Sequence, residues 1–246
     1  MRNWIDTLKH GAELIARKLG VELKRYSLDT SDSARLQRIF EYHNIDLVLD
    51  VGANIGQYCT FLHELGYRGK VVSFEPLLSA YEQLLKRSRK DKNWTIAPRT
   101  AIGERSGEIT LHISGNLQSS SVLNMLDAHI RSAPESAYVG EQRVAIHRLD
   151  EIARPHVDAA RSSYLKIDVQ GYESQVLDGA SGILPRIMGI QMELSLVPLY
   201  ERQMLYRAMI DRLDALGYEL HAVLPVFSDA RSGRLLQMDG IFIRKS

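Results

Sequence analysis

The sequence predicts an α/β fold, a mostly parallel sheet with helices on both faces and an antiparallel last strand. Three observations carry this. From Asp46 onward, short apolar runs alternate with segments of helical period, the pattern of a parallel sheet with crossover helices. Runs such as "LVLDV" are continuously apolar up to an acid, as strands covered on both faces are. The final two strand-like runs, "YELHAVL" and "GIFIRK", have no clear helix between them and so pair antiparallel.

The elements follow in order. Residues 1–43 read as a helical extension. Trp4, Ile5, Leu8, Ile15 and Leu19 recur at helical spacing and Gly20 ends the segment. A second helix, "SDSARLQRIFEYH", takes Ser31 or Ser33 as its cap. Arg2, Lys9, Arg17 and Lys18 on the first helix suit a membrane surface, but Asp6 and Glu13 favour a lid or packing helix. The domain proper spans 44–246. "DLVLDV" is a strand, followed by a helix ending at Gly66; "KVVSFEP" is a strand that Pro76 closes. "LSAYEQLLKRSRK" is a helix and "WTIAPRTAI" contains a strand. "GEITLHIS" and "QRVAIHRL" are strands flanking a long polar loop. "SYLKIDV" is a strand with a helix from about Gly171, "IMGIQMEL" a strand, and "YERQMLYRAMIDRLDALG" a helix.

Composition narrows the class. The chain has 246 residues, 45% of them hydrophobic, and a net charge of +1. This is an ordinary globular composition, with no basic excess to suggest a nucleic-acid partner. The single cysteine, Cys59, cannot form an internal disulfide and reads as a small buried hydrophobe. There is no apolar run of transmembrane length and no signal-peptide pattern, so the expectation is a cytoplasmic protein without a stable membrane span.

The stretch "VLDVGANIGQY" carries the first chemical signal. Gly52 and Gly56 allow a tight turn and close backbone approach between strand and helix. The dinucleotide fingerprint needs a glycine where Asn54 stands. Asp50 sits where the ligand would approach. It repels phosphate and suits an amino group. S-adenosyl-L-methionine has an amino-acid end, a ribose and an adenine, and no phosphate. Glu75 ends the next strand about twenty residues on, near the spacing of a ribose-binding acid. "TAIG", with Ala101 and Ile102, offers small and apolar side chains to the adenine, alongside Leu77.

"LVLDVGANIGQY", "VVSFEP", "AIGERSGEITLHI" and "LKIDVQGYE", in this order, resemble the FkbM family of methyltransferases. The resemblance runs from about Asp46 to Ser195, and "KIDVQGYE" is its most specific piece. It implies a Rossmann-like class I fold with a seven-stranded sheet. It also implies transfer of a methyl group from S-adenosylmethionine, mostly to oxygen, on a small-molecule acceptor: a sugar, glycolipid or polyketide hydroxyl.

Two acids end strands where open α/β sheets bind ligands. Asp168 follows "SYLKI" and shares a face with Lys166. It suits a base, a metal ligand, an anchor for the methionine amino group, or a helix cap. Glu193 ends "GIQMEL". The pair suits base chemistry or a magnesium ion, which takes oxygen ligands. Glu193 reads equally as a structural acid tied to Ser195. Asp239 is a weaker candidate. Ser119, Ser120 and Ser121, in the long loop, offer hydroxyls to a polar acceptor, or are ordinary loop serines. His63, His112 and His147 fall in helix or strand patterns without zinc spacing. The competing readings are a nicotinamide-dependent oxidoreductase, which Asp50 and Asn54 disfavour, an N-methyltransferase on the same fold, and a catalytically silent scaffold.

Overall fold

The structure is a computed structural model that describes the backbone of residues 2–245 and the side chains of residues 10–245. It divides into two compact units, Met1–Tyr42 and His43–Ser246.

The first unit holds helices α1 (Arg2–Lys18) and α2 (Asp32–Tyr42). The Ser31 hydroxyl accepts from the Ala34 amide at 3.2 Å, so of the two candidate serines Ser31 is the cap. Ile15 and Leu19 are exposed. The side chains of Arg2, Trp4, Ile5, Asp6, Leu8 and Lys9 lie outside the described residues.

The second unit runs β1 (Leu47–Val51), α3 (Gln57–Glu64), β2 (Lys70–Phe74), α4 (Leu78–Ser88), β3 (Trp94–Ile96), β4 (Ala101–Ile102), β5 (Gly107–Ser114) and α5 (Asp127–Ser132). It continues through β6 (Tyr138–His147), α6 (Leu149–Asp158), β7 (Ser163–Ile167), α7 (Glu173–Gly179), β8 (Ile187–Ser195), α8 (Tyr206–Ala215), β9 (Tyr218–Ser228) and β10 (Leu235–Arg244). The main sheet has seven strands in the order β3-β2-β1-β7-β8-β10-β9. Its first five are parallel, and β10 runs antiparallel to both neighbours. The chain winds outward from β1 in one direction and from β7 in the other. The reversal point between them is where ligands bind in such sheets. A smaller sheet, β4-β6-β5, carries the "TAIG" and "GEITLHIS" segments.

Strand parity explains where the chemistry sits. Leu49 and Val51, Val72 and Phe74, Leu165 and Ile167, and Ile190, Met192 and Leu194 all join one apolar core. They pack with Leu149, Ala153 and Val157 of α6, Val176 and Leu177 of α7, and Met209 and Leu213 of α8. Alternate strand residues face opposite ways. The other face of the same strands therefore carries Asp50, Ser73, Lys166, Gln191 and Glu193.

Two features differ from the sequence expectation. Helix α6 occupies a stretch between "QRVAIHRL" and "SYLKIDV" to which the sequence reading assigns no element; its buried stripe Leu149, Ala153, Val157 has helical spacing, and Pro155 inside it obscures the pattern. The polar loop is also better built than its composition suggests. It contains α5 and a short 3₁₀ turn at Pro134–Ser136, and β6 begins already at Tyr138. Among the described residues no helix is long and apolar enough to cross a membrane.

Candidate active site

The turn after β1 is built by close contact. Gly52 has φ +80°, and a Cβ there would lie 1.9 Å from the Asp168 carbonyl oxygen. Gly56 has φ +89°, and a Cβ there would lie 2.4 Å from the Trp94 ring. Both positions require glycine. Asn54, between them, also takes the left-handed conformation at φ 49°. The Asp168 amide donates to the Val51 carbonyl at 3.0 Å, so the ends of β1 and β7 lie side by side.

A cavity of about 630 Å³ opens at this edge, within the roughly 300–1,000 Å³ range of small-molecule sites. Asp50, Gly52, Asn54, Glu75, Ala101 and Ile102 line it on one part. Asp168, Glu193, Asp239, Ser119 and Ser120 line it elsewhere. Gly56 does not line it and acts through the turn. Ser121 is tied to the scaffold instead, donating to the Gln170 carbonyl at 2.6 Å and accepting from the Leu123 amide at 3.0 Å.

Glu75 is buried. One carboxylate oxygen accepts from the Asn54 amide at 2.8 Å and the other from the Leu77 amide at 2.7 Å. A carboxylate has about four acceptor sites, so two remain for donors from the cavity. Burial pushes its pKa up to about 7, although both amides pull it down.

The face opposite the core forms a polar row. Ser73, Asp50, Lys166 and Gln191 are cross-strand neighbours in turn. Ser73 donates to Asp50 at 3.1 Å and accepts from the Trp94 indole at 2.9 Å. Burial raises the Asp50 pKa to about 6 against the pull of Ser73 and Lys166. The Lys166 ammonium stands 3.4 Å from both Asp168 and Asp239. Burial alone would lower its pKa, but Asp168, Asp239, Glu193 and Asp50 together raise it. Lys166 therefore stays charged.

Gln170 joins the two strand-end acids. Its side-chain amide donates to Asp168 at 2.9 Å and to Glu193 at 3.1 Å, and its carbonyl oxygen accepts from the Tyr200 hydroxyl at 2.8 Å. Its φ of 56° is a left-handed strain of the kind that collects at functional sites. Glu193 also accepts from Gln237 at 2.6 Å, and Gln237 reaches Ser195 at 3.3 Å. Burial, then the charges of Asp168, Glu173 and Asp239, raise the Glu193 pKa well above the carboxylate range despite Lys166. Glu193 is thus both tied to the Ser195 region and open to the cavity. Asp168 is not a side-chain cap of α7; Glu173 serves that turn by accepting from the Val169 and Gly171 amides at 3.2 and 3.1 Å. The Asp168 side chain is 40% exposed, the most accessible acid of the group.

The donor set answers the two cofactor questions differently. For S-adenosylmethionine it fits. Glu75 has free acceptor sites for ribose hydroxyls, Ala101 and Ile102 give an apolar wall, and Asp50 and Asp168 give negative charge. For magnesium it does not fit. An amide nitrogen bridges Asp168 and Glu193, and an ammonium lies between Asp168 and Asp239. Among the described residues no group of three or more His, Cys, Asp or Glu side chains is arranged to hold a metal.

Lys166 is legible in sequence beside Asp168, and as a lysine inside the apolar run "SYLKI" it must find buried partners; other contributors escape sequence reasoning. Gln170, Gln191, Gln237 and Tyr200 leave no trace, since each gains its role from another strand or loop.

Comparison with known proteins places these observations. No curated protein matches the chain. Among solved structures, fibrillarin from Aeropyrum pernix with natively bound S-adenosyl-L-methionine aligns at 13% identity over 86% of this chain and 73% of its own, with a TM-score of 0.47. An rRNA methylase from Streptococcus thermophilus aligns at 12% identity over 92% of this chain and 100% of its own, with a TM-score of 0.46. Residues 50–220 match the family described as Methyltransferase FkbM domain. That span takes in the glycine turn, Glu75, the "KIDVQGYE" loop and Glu193, and the chain belongs to the FkbM family of S-adenosylmethionine-dependent methyltransferases.

Proposed function

We propose that the protein is an O-methyltransferase acting on a hydroxyl of a small molecule such as a sugar, glycolipid or polyketide. The observation that carries this is the carboxylate of Asp168, exposed to the cavity and held at a fixed position by Lys166 and Gln170. An alcohol is a weak nucleophile whose proton must leave during or after attack, and a placed base promotes this.

S-adenosylmethionine, when bound, supplies an electrophilic methyl group. Glu75 would hold its ribose hydroxyls, Ala101 and Ile102 its adenine, and Asp50 its amino-acid end by charge. Asp168 orients the acceptor hydroxyl and takes its proton. Glu193, whose pKa burial raises, offers a hydrogen bond beside it. Lys166, whose ammonium lies 3.4 Å from Asp168, holds that carboxylate in place and stabilises the negative charge that develops near it. Ser119 and Ser120 offer further hydroxyls to the acceptor. The placed groups align the acceptor in line with the scissile bond, which by itself removes much of the barrier.

The test is labelled-methyl transfer into a library of hydroxyl and amine acceptors. Product bearing an O-methyl ether supports the reading, and transfer to nitrogen alone rejects it.

A further inference from the structure

We propose that the acceptor of this methyl transfer is an uncharged polyhydroxylated ring, bound against His129 and Phe227 with one hydroxyl on the His129 imidazole. The proposal rests on the O-methyltransferase reading and narrows its substrate class.

Charge is the first observation. The cavity is lined by six carboxyl residues, Asp50, Glu75, Glu135, Asp168, Glu193 and Asp239, against one lysine and no arginine. That lysine, Lys166, is already committed to Asp168 and Asp239. Asp50 and Glu75 belong to the cofactor end; on the acceptor side a phosphate or carboxylate would meet Glu135, Asp168 and Asp239 with no free cation to receive it. Anion sites use arginine, lysine or helix N-termini, and like-charge contact rejects a partner strongly.

The aromatic wall is the second. His129, Val226 and Phe227 line the cavity, with Tyr200 packed against His129. The His129 ring lies 5.2 Å from the Tyr200 ring, edge-on, and 5.3 Å from the Phe227 ring. Such a wall takes the apolar face of a ring.

The third is an unpaired atom. His129 is 3% exposed, and its Nδ1 is buried without a hydrogen-bond partner among the described residues. Buried polar atoms are nearly always paired. Burial also pushes the His129 pKa down to about 4, so the imidazole is neutral and has one donor and one acceptor nitrogen. A neutral hydroxyl can satisfy either. Position supports the same use. The Tyr200 hydroxyl bonds Gln170, and Gln170 bonds both Asp168 and Glu193. The aromatic end therefore adjoins the acids that handle the acceptor proton.

The test uses the full chain loaded with S-adenosylhomocysteine and saturation-transfer NMR. The probes are the methyl glycosides of glucose, galactose, mannose, rhamnose and fucose, against glucose 6-phosphate, glucuronate, galacturonate and glucosamine. We expect transfer to at least one neutral glycoside and to none of the anions. His129→Phe keeps the ring and removes the nitrogens. It should weaken that glycoside about 5- to 10-fold, the scale of one lost hydrogen bond, with S-adenosylhomocysteine affinity changed less than about twofold. If this variant does not fold, a ¹⁵N shift of the wild-type His129 imidazole on glycoside addition reads the same contact. Equal or better binding of an anion, preference for glucosamine, silence of every neutral glycoside, or an indifferent His129 each overturns the proposal. Failure to bind S-adenosylhomocysteine is a separate result and counts against the methyltransferase site itself.

Discussion

Gly52 and Asp168 touch backbone to backbone: a Cβ on Gly52 would sit 1.9 Å from the Asp168 carbonyl oxygen. The cofactor turn and the acid-bearing loop are therefore one packed unit. Gly52→Ala must both strain φ +80° and push the two loops apart. Each cost is about 1–3 kcal/mol. We expect a loss of stability on that scale by chemical denaturation, with turnover falling further than stability because Asp168 moves. A variant with wild-type turnover would show that the contact does not position Asp168.

Glu75→Gln should weaken S-adenosylmethionine by about 1–3 kcal/mol, the cost of removing a charged hydrogen-bond acceptor. Calorimetry measures it, and unchanged affinity refutes the ribose assignment. The pKa of about 7 adds a pH signature. The ionised form accepts ribose hydroxyls better and faces a cationic ligand. Affinity should rise between pH 6 and 8, and binding should release protons, read as a buffer-dependent heat. The variant should lose most of this dependence.

The alternation of strands and helices, the Gly52–Gly56 turn and the acids ending strands are legible in sequence because each depends on local spacing. Strand parity even places Lys166 with Asp168. The sequence does not show that Asp239 lies opposite Glu193 across β10 and β8, since that register joins residues far apart in the chain. Gln170 is silent for the same reason; its partners Tyr200 and Glu193 come from other elements. His129 hides in a segment whose polar composition conceals a short helix. The magnesium expectation fails on a similar point: two neighbouring acids look like an ion site until Lys166 and Gln170 are seen between them.

Glu173 should make stability depend on pH. It is buried, and burial raises its pKa to about 7 even though the Gly171 and Val169 amides pull it down. A carboxyl whose folded pKa is raised binds its proton more tightly when folded. Its contribution is present below the unfolded pKa and is lost as pH rises through about 7. His129 works in the opposite sense, since its pKa is pushed down to about 4. The comparison of wild type with Glu173→Gln cancels His129. Between pH 5 and 8 the stability of wild type relative to the variant should fall by a few kcal/mol at most. Parallel profiles in denaturant titrations would mean that Glu173 is ionised in both states.

The last prediction separates base, ammonium and metal at the acceptor side. Asp168→Asn keeps the size and the Gln170 contact but removes the charge. It should lower turnover by roughly 10²–10⁴-fold, the range for acid–base help, with S-adenosylmethionine affinity much less affected. Burial raises the Glu193 pKa, so Glu193→Gln mimics the uncharged form that burial favours, and its loss should be smaller. Lys166→Met leaves Asp168 and Asp239 without their shared counter-ion. Removing one partner of a buried pair costs about 3–5 kcal/mol, so this variant should be unstable as well as slow. Lys166 fills the place between the acids where a cation would sit. Activity should therefore survive chelation by EDTA, and added magnesium should not restore Lys166→Met. Activity abolished by EDTA and recovered with magnesium would overturn the role given to Lys166. Near-normal turnover in both Asp168→Asn and Glu193→Gln would remove the base as well, leaving alignment of the acceptor as the source of catalysis.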